Sequence, residues 1–271
     1  MTDASSERYT LGYGESSMDW MASRTATGHG AFFLPYLEPG MNLLDCGCGP
    51  GTLTVGYAEQ ISPGHAIGID RVTDQAEPVL SYAADHGIAN LTFVEGDIYA
   101  LPYPDNHFDA VFGSAVLGSV ADAAAVVRDM VRVLKPGGVI GLKEFDHGAD
   151  LIWPQTPLLA KSIELYHRLR AENDHEPKAG RRLKEFLTNN DCVVEYHYAY
   201  FDQQADKPSL QQYIERNNGL VDEILGAQYI ELGWCTRADI DAQAEEWRKF
   251  AVNPAAVYVS AWLEAVGRKP G

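Results

Sequence analysis

Cysteine is scarce. Four residues, Cys46, Cys48, Cys192 and Cys235, are too few to staple a chain of 271 residues, so a disulfide scaffold is excluded and a reduced compartment is expected. Positive charge is scarce as well. Lys plus Arg number 21 against 38 Asp plus Glu, a formal net charge of −17. A phosphate-backbone binder needs the opposite field, which argues against nucleic acid, and an anionic membrane surface would repel the chain. Long apolar runs are missing too: the longest, such as Ala121–Val127, fall well short of the roughly 20 residues a membrane span requires. The opening MTDASSERYT has neither the basic start nor the apolar stretch of a secretion signal, so a cytoplasmic protein is expected. Internal repeats and low-complexity linkers are likewise absent. What is abundant is hydrophobic residues at 46% with only 22% charged, enough for a packed core.

From residue 42 a regular alternation begins. Short runs at Asn42–Cys46, Ala66–Asp70, Phe108–Ser114 and Val139–Glu144, and an alternating run at Leu91–Glu95, read as strands. Between them Thr52–Ile61, Gln75–His86 and Ala121–Leu134 read as helices, the last stopped by Lys135-Pro136-Gly137-Gly138. Strands alternating with helices imply right-handed βαβ units and a parallel sheet covered on both faces. Beyond Asp146 the rhythm changes. Thr156–Arg170, Gly180–Asn190, Ser209–Leu225 and Thr236–Phe250 look helical, while Val193–Phe201 and Ala256–Val266 look like strands. Ser209 with Gln212, and Thr236 with Asp239, carry capping-box spacing at two helix starts. The chain is expected to divide into a helical N-terminal lid (1–40), an α/β core (41–150), a substrate cover with helical insertions (151–255) and a final strand (256–271).

The segment with chemical content is Asp45-Cys46-Gly47-Cys48-Gly49-Pro50-Gly51-Thr52, between the first strand and the first helix. Its glycines are spaced G-x-G-x-G rather than G-x-G-x-x-G, so it is not a dinucleotide fingerprint, and no lysine follows for a phosphate loop. Asp45 would repel phosphate but suits an ammonium group. Asp70 ends the second strand, where a carboxylate accepts from both ribose hydroxyls. Asp97 ends the third, where it can accept from an exocyclic adenine amine. Carboxylates at three successive strand ends, beside a glycine turn with no phosphate cradle, describe an adenosine carrying a charged amino-acid tail: S-adenosylmethionine. Cys46 and Cys48 do not supply the four-ligand set zinc prefers and read as small packing residues, with no metal site expected.

The same residues carry a family resemblance. LLDCGCGPGT (43–52), GIDRV (68–72), EGDIYALPYPDNHFDAVFGSAVLGSV (95–120) and VLKPGGVIGLKEF (133–145) resemble the class I S-adenosylmethionine-dependent methyltransferases. The similarity is to the branch that includes ubiquinone/menaquinone-biosynthesis C-methyltransferases and natural-product methyltransferases. FFLPYLEPGM (32–41) and AWLEAVGRKP (261–270) resemble it too, and 151–255 least. The resemblance implies a Rossmann-like, seven-stranded, mostly parallel sheet with helices on both faces. It places Asp45 and Gly47 at the methionine end, Gly49 under the adenosine, Asp70 on the ribose and Arg71 over the adenine. It sets Asp97 and Ile98 around the base, Ser114 toward the methionine amine and Arg24 toward its carboxylate. Tyr13 and Gln75 complete the expected cofactor set. Many relatives have a histidine pair after the fourth strand; this chain has Gly118-Ser119, which removes any base expected there.

For a base, His147 follows the fifth strand at the edge where open α/β sheets hold ligands, and a neutral imidazole can deprotonate a nucleophile near pH 7. A surface or capping role is the plain alternative, and Glu144, Tyr13 and His29 are rivals. Tyr9, His147, Trp153, Tyr166 and Trp234 are candidates to contact the acceptor, with packing of the cover as the equal alternative. Tyr196, Tyr198 and Tyr200 read as sheet packing or a contact within a homo-oligomer. The expected activity is methyl transfer to a small, largely apolar or aromatic metabolite in secondary or quinone-like metabolism. The alternative is a protein that holds S-adenosylmethionine without turnover or catalyses a non-methylating reaction such as cyclisation.

Overall fold

The computed structural model describes residues 7–204 and 206–271; the first six residues of the expected lid, and residue 205, lie outside the described residues. Strands β1 (Leu43–Cys46), β2 (Ala66–Asp70), β3 (Leu91–Glu95), β4 (Phe108–Ser114) and β5 (Leu134–Phe145) lie mutually parallel in the order β3-β2-β1-β4-β5. Next to β5 runs β8 (Val257–Arg268), antiparallel, with β7 (Val193–Gln204) antiparallel on its far edge. These are the seven strands expected. An eighth, β6 (Leu151–Trp153), pairs with the start of β8 beyond the end of β5. Three residues give too little periodicity to mark such a strand in sequence.

Alternation along the strands divides the core between the two faces. Leu44, Val111 and Ile140 face α4 (Ala123–Val133) and α6 (Leu183–Thr188), whereas Leu43, Ala110, Phe112 and Val139 face α2 (Thr52–Ile61) and the lid segment around Phe33. The central strands β1 and β4 are therefore covered on both sides and read as largely apolar runs, whereas the edge strand β3 alternates, with Thr92 exposed. Helix α3 (Glu77–Asp85) packs Val79 and Ala83 beside α2.

The lid contains a helix, α1 (Glu15–Ala22), with turns on either side. The cover contains α5 (Pro157–Glu172), α7 (Lys207–Leu220), α8 (Gly226–Glu231) and α9 (Arg237–Val252), with a π-helical turn at Val221–Leu225. Leu11 of the lid is buried with Leu165, Leu169, Leu225 and Tyr229 of the cover, so lid and cover share one apolar cluster. Helix α9 starts as expected, with a complete Thr236–Asp239 capping box. Helix α7 does not: its cap is Asp206, whose side chain accepts from the Ser209 N–H, so the Ser209–Gln212 spacing falls inside the first turns. An aspartate is an equally good cap, and the two start signals stand three residues apart. Among the described residues, no helix is long and apolar enough to cross a membrane.

Candidate functional site

The turn after β1 is held open by left-handed glycines. Gly47 (φ 69°) and Gly51 (φ 80°) adopt dihedrals that side chains disfavour, and a Cβ on Gly51 would lie 2.2 Å from the Phe93 ring. The backbone thereby passes close beneath a cleft lined by Asp45, Gly47, Gly49, Asp70, Arg71, Gln75, Ile98 and Ser114. Asp70 grips the turn: its Oδ2 accepts from Gly49 N–H at 2.9 Å and its Oδ1 from Val72 N–H at 3.3 Å. Burial raises the Asp70 carboxyl above its ordinary range, opposed by those N–H groups. Asp45 is buried, accepts from Thr54 Oγ1 at 2.6 Å, and is pushed up to about 7 by burial. A cationic ligand group beside it would draw it back to the ionised form.

The roof of this cleft is the N-terminal segment, through Tyr9, Leu11, Tyr13 and Trp20. It is latched at its outer end. Glu7 accepts from Arg71 at 2.9 Å and from Tyr99 Oη at 2.7 Å, while Arg71 also donates to the Glu7 carbonyl. Deeper in, buried Thr10 is bonded to His175 Nδ1 at 2.8 Å and to the Asn173 amide at 2.9 Å.

Among the described residues, three that line the cleft, Arg24, Gln75 and Arg170, each carry a buried polar atom without a partner. Arg24 Nη2 is buried with no acceptor, its guanidinium 4.4 Å over the Trp20 ring and 5.4 Å from that of Trp262. Gln75 Oε1 is likewise unpartnered, while its amide nitrogen donates to the Val72 carbonyl at 2.8 Å. A buried polar group without a partner is costly, and the first two, a cation and an acceptor, suit a carboxylate and an amine. With the glycine turn and Asp70, the residues present fit S-adenosylmethionine.

A second chamber of about 460 Å³ adjoins the cleft, sharing Leu11, Trp20, Phe145 and Tyr166 with it. That volume suits a drug-sized ligand. Its wall includes His147, Asp150, His167, Tyr213 and Trp262. His147 Nδ1 lies 2.8 Å from Asp150 Oδ2, and Asp150 Oδ1 accepts from the Ala261 N–H. The imidazole stacks on Phe145 at 4.6 Å and stands 6.0 Å from His167, whose own pKa is lowered by burial and by His147.

Of the expected cofactor set, Tyr13, Arg24, Asp45, Gly47, Gly49, Asp70, Arg71, Gln75, Ile98 and Ser114 all line the cleft. Asp97 does not: its Oδ1 accepts from the Tyr99 N–H at 2.9 Å, and its neighbours Gly96 and Ile98 face the cleft instead. Of the acceptor set, Tyr9 lines the cleft, His147 the chamber and Tyr166 both. Trp153 and Trp234 line neither. Trp153 is 68% exposed because alternation along β6 turns Ile152 inward, and Trp234 is packed under Arg168 at 3.9 Å. Among the rival bases, His29 is bonded to Ser114 Oγ at 2.8 Å and held neutral by burial, and Glu144 is buried behind the cleft with Oε1 on the Leu117 N–H. Tyr196 bonds Glu264 and stacks on Phe32, while Tyr200 lies 4.4 Å from Lys143 Nζ, so both pack the end of the sheet. The latch residue Glu7, the orienting Asp150 and the buried Arg170 were not expected. Only Asp150, three residues after His147, left a trace in sequence.

A family model described as a methyltransferase domain matches residues 37–213. An uncharacterized methyltransferase of Schizosaccharomyces pombe is 33% identical over 180 residues, 64% of each chain. The ubiquinone/menaquinone biosynthesis C-methyltransferase UbiE of Shewanella is 35% identical over 65% of this chain and 64% of its own. The chain thus spans less than two-thirds of the curated relatives it matches. Among solved structures, Haemonchus contortus phosphoethanolamine N-methyltransferase 2 in complex with S-adenosyl-L-methionine superposes with a TM-score of 0.57 at 17% identity, covering 96% of this chain and 58% of that one. The [4+2]-cyclase SpnF superposes at 0.55 with 22% identity, covering 93% and 80%. Fold, glycine turn and matched domain agree: the chain belongs to the methyltransferase-domain family.

Proposed function

We propose that the protein methylates a small, largely apolar or aromatic metabolite of secondary or quinone-like metabolism, with His147 as the base. The observation that carries this reading is the His147–Asp150 pair in the wall of an aromatic chamber that adjoins the cofactor cleft. An ionised carboxylate only accepts, so Asp150 fixes the proton on Nδ1 and leaves Nε2 as a lone-pair acceptor. Phe145 beneath the ring and Tyr166 at its edge hold its orientation. His147 then takes the proton of an acidic O–H, N–H or activated C–H as that atom becomes the nucleophile. S-adenosylmethionine, when bound, supplies an electrophilic methyl on a sulfonium. Displacement at that methyl is in-line, so Trp20, Phe145 and Tyr166, shared by cleft and chamber, contribute by excluding water and fixing the approach.

The test is release of S-adenosylhomocysteine, with a matching mass gain of one methyl, across a panel of phenols, quinols, indoles and β-dicarbonyls. No release with any of them would overturn the proposal. A second reading, a rearranging or cyclising enzyme that keeps its cofactor intact, is favoured by one observation: a [4+2]-cyclase shares the fold. Conversion of an acceptor without S-adenosylhomocysteine would select it.

A further inference from the structure

Arg170, on α5, is the largest fully buried side chain among the described residues and lines the cofactor cleft. Its partners are all neutral: Tyr166 Oη at 3.0 Å, the Gly118 carbonyl, and Ser119 Oγ at 3.0 Å. Its Nε–H has no acceptor. Among the described residues, no carboxylate makes an ion pair with it. Glu144 exerts its charge from farther away, and burial pushes that carboxyl up to about 7, so its countercharge is incomplete near neutral pH. A buried guanidinium without an anion is among the costlier arrangements in a folded protein. Here the cost is compounded, because the same cleft is to receive a sulfonium cation.

His147 and Arg170 rest on the same two rings. The guanidinium lies 4.6 Å from the Phe145 ring and 5.6 Å from that of Tyr166, and the imidazole touches both. Phe145 and Tyr166 belong to both walls, so the cation on the cleft side and the imidazole on the chamber side meet at the rings where an acceptor would enter the cleft. We propose that Arg170 is an acceptor-binding residue, and that the methyl acceptor presents an anionic oxygen, a carboxylate or an enolate or phenolate, to its guanidinium. This deepens the methyl-transfer reading and rests on it. A planar guanidinium pairs with a carboxylate through two parallel hydrogen bonds and with an enolate through one, and either supplies the missing countercharge.

The test uses three probes on one ring system, titrated by calorimetry at pH 8 into the full protein saturated with S-adenosylhomocysteine: coumarin, coumarin-3-carboxylate and 4-hydroxycoumarin, an enolate at that pH. At least one anion is expected to bind tenfold or more tightly than coumarin, and which one identifies the oxygen. Arg170→Gln should erase that preference, read as the ratio of anionic to neutral affinity in protein saturated with S-adenosylhomocysteine; Arg170→Lys should keep part of it and covers the case in which the glutamine variant does not fold. Wild-type protein with no preference for either anion, including no binding of any probe, overturns the proposal. So does a variant that loses neutral and anionic probes equally, which is the signature of a clamp between α5 and the turn after β4. Because no turnover is involved, a failed methyl-transfer panel and a failed anion preference are separate results.

Discussion

Replacing Arg24 with methionine should move stability and cofactor affinity in different ways. Its Nη2 is buried without an acceptor, at a cost to the ligand-free fold of about 1–3 kcal/mol. Burial also depresses its pKa, the mark of a charge held out of water. Methionine removes that cost and surrenders the cation–π contacts to Trp20 and Trp262, worth roughly 0.5–2 kcal/mol together, part of which sulfur–aromatic contact restores. The ligand-free variant should therefore unfold within about 1 kcal/mol of the parent. Cofactor binding should suffer far more. A hydrogen bond to a charged partner contributes about 1.5–3 kcal/mol, so the dissociation constant for S-adenosylhomocysteine, which keeps the same carboxylate, should rise about 10- to 150-fold. Calorimetry with S-adenosylhomocysteine and urea unfolding of ligand-free protein measure the two quantities. Unchanged affinity would refute the carboxylate role. A stability loss of several kcal/mol would show that Arg24 is structural.

Asp70→Ala should weaken S-adenosylmethionine by about 1–3 kcal/mol in the same calorimeter, since Asp70 lines the cleft and organises the turn through Gly49; an unaltered constant would remove Asp70 from the site. His147→Ala should lower kcat by on the order of 10²–10⁴ with cofactor affinity intact, and undiminished turnover would exclude the base role. Two buried carboxyls give stability a pH dependence of their own. Asp45 and Glu144 are both raised to about 7 in the folded chain, from ordinary values of 3.8 and 4.5, so between those limits each is more protonated in the native state than in the unfolded one, while His29 and His175, whose pKa values burial lowers, act in the opposite direction. Ligand-free Glu144→Gln protein, which lacks one of these carboxyls, should therefore gain stability relative to the parent as pH rises from about 4 through 7. A difference between the two proteins that stays constant over this interval would contradict the burial of Glu144.

The cofactor half of the site was legible because it is local. Glycine spacing and an aspartate at a strand end are set by the chain immediately around them, and Asp45, Gly47, Gly49 and Asp70 fall where the pattern puts them. The acceptor half depends on contacts across the fold. Trp153 and Trp234 are as aromatic as Tyr166, yet only the packing of β6 and α5 decides which ring faces the chamber. Arg170 was silent in sequence for the same reason: an arginine near the end of an amphipathic helix ordinarily meets solvent, and its burial arises only when the turn at Gly118-Ser119 closes over it. Glu7 reaches Arg71 across 64 residues, a distance at which no periodicity informs. Asp97 stands apart from the cleft lining, with one oxygen on the next turn, because a carboxylate at a strand end serves a ligand or that turn equally well.

The Glu7 latch carries a kinetic consequence. The segment that roofs the cofactor is tied to both strand ends beneath it, through Arg71 after β2 and Tyr99 after β3, while its inner part forms a wall of the second chamber. If spent cofactor leaves past this roof, those bonds must part, and parting them would also unmake a wall of the second chamber. Exchange at one site would then open the other, the arrangement expected of a compulsory order of binding with the cofactor first.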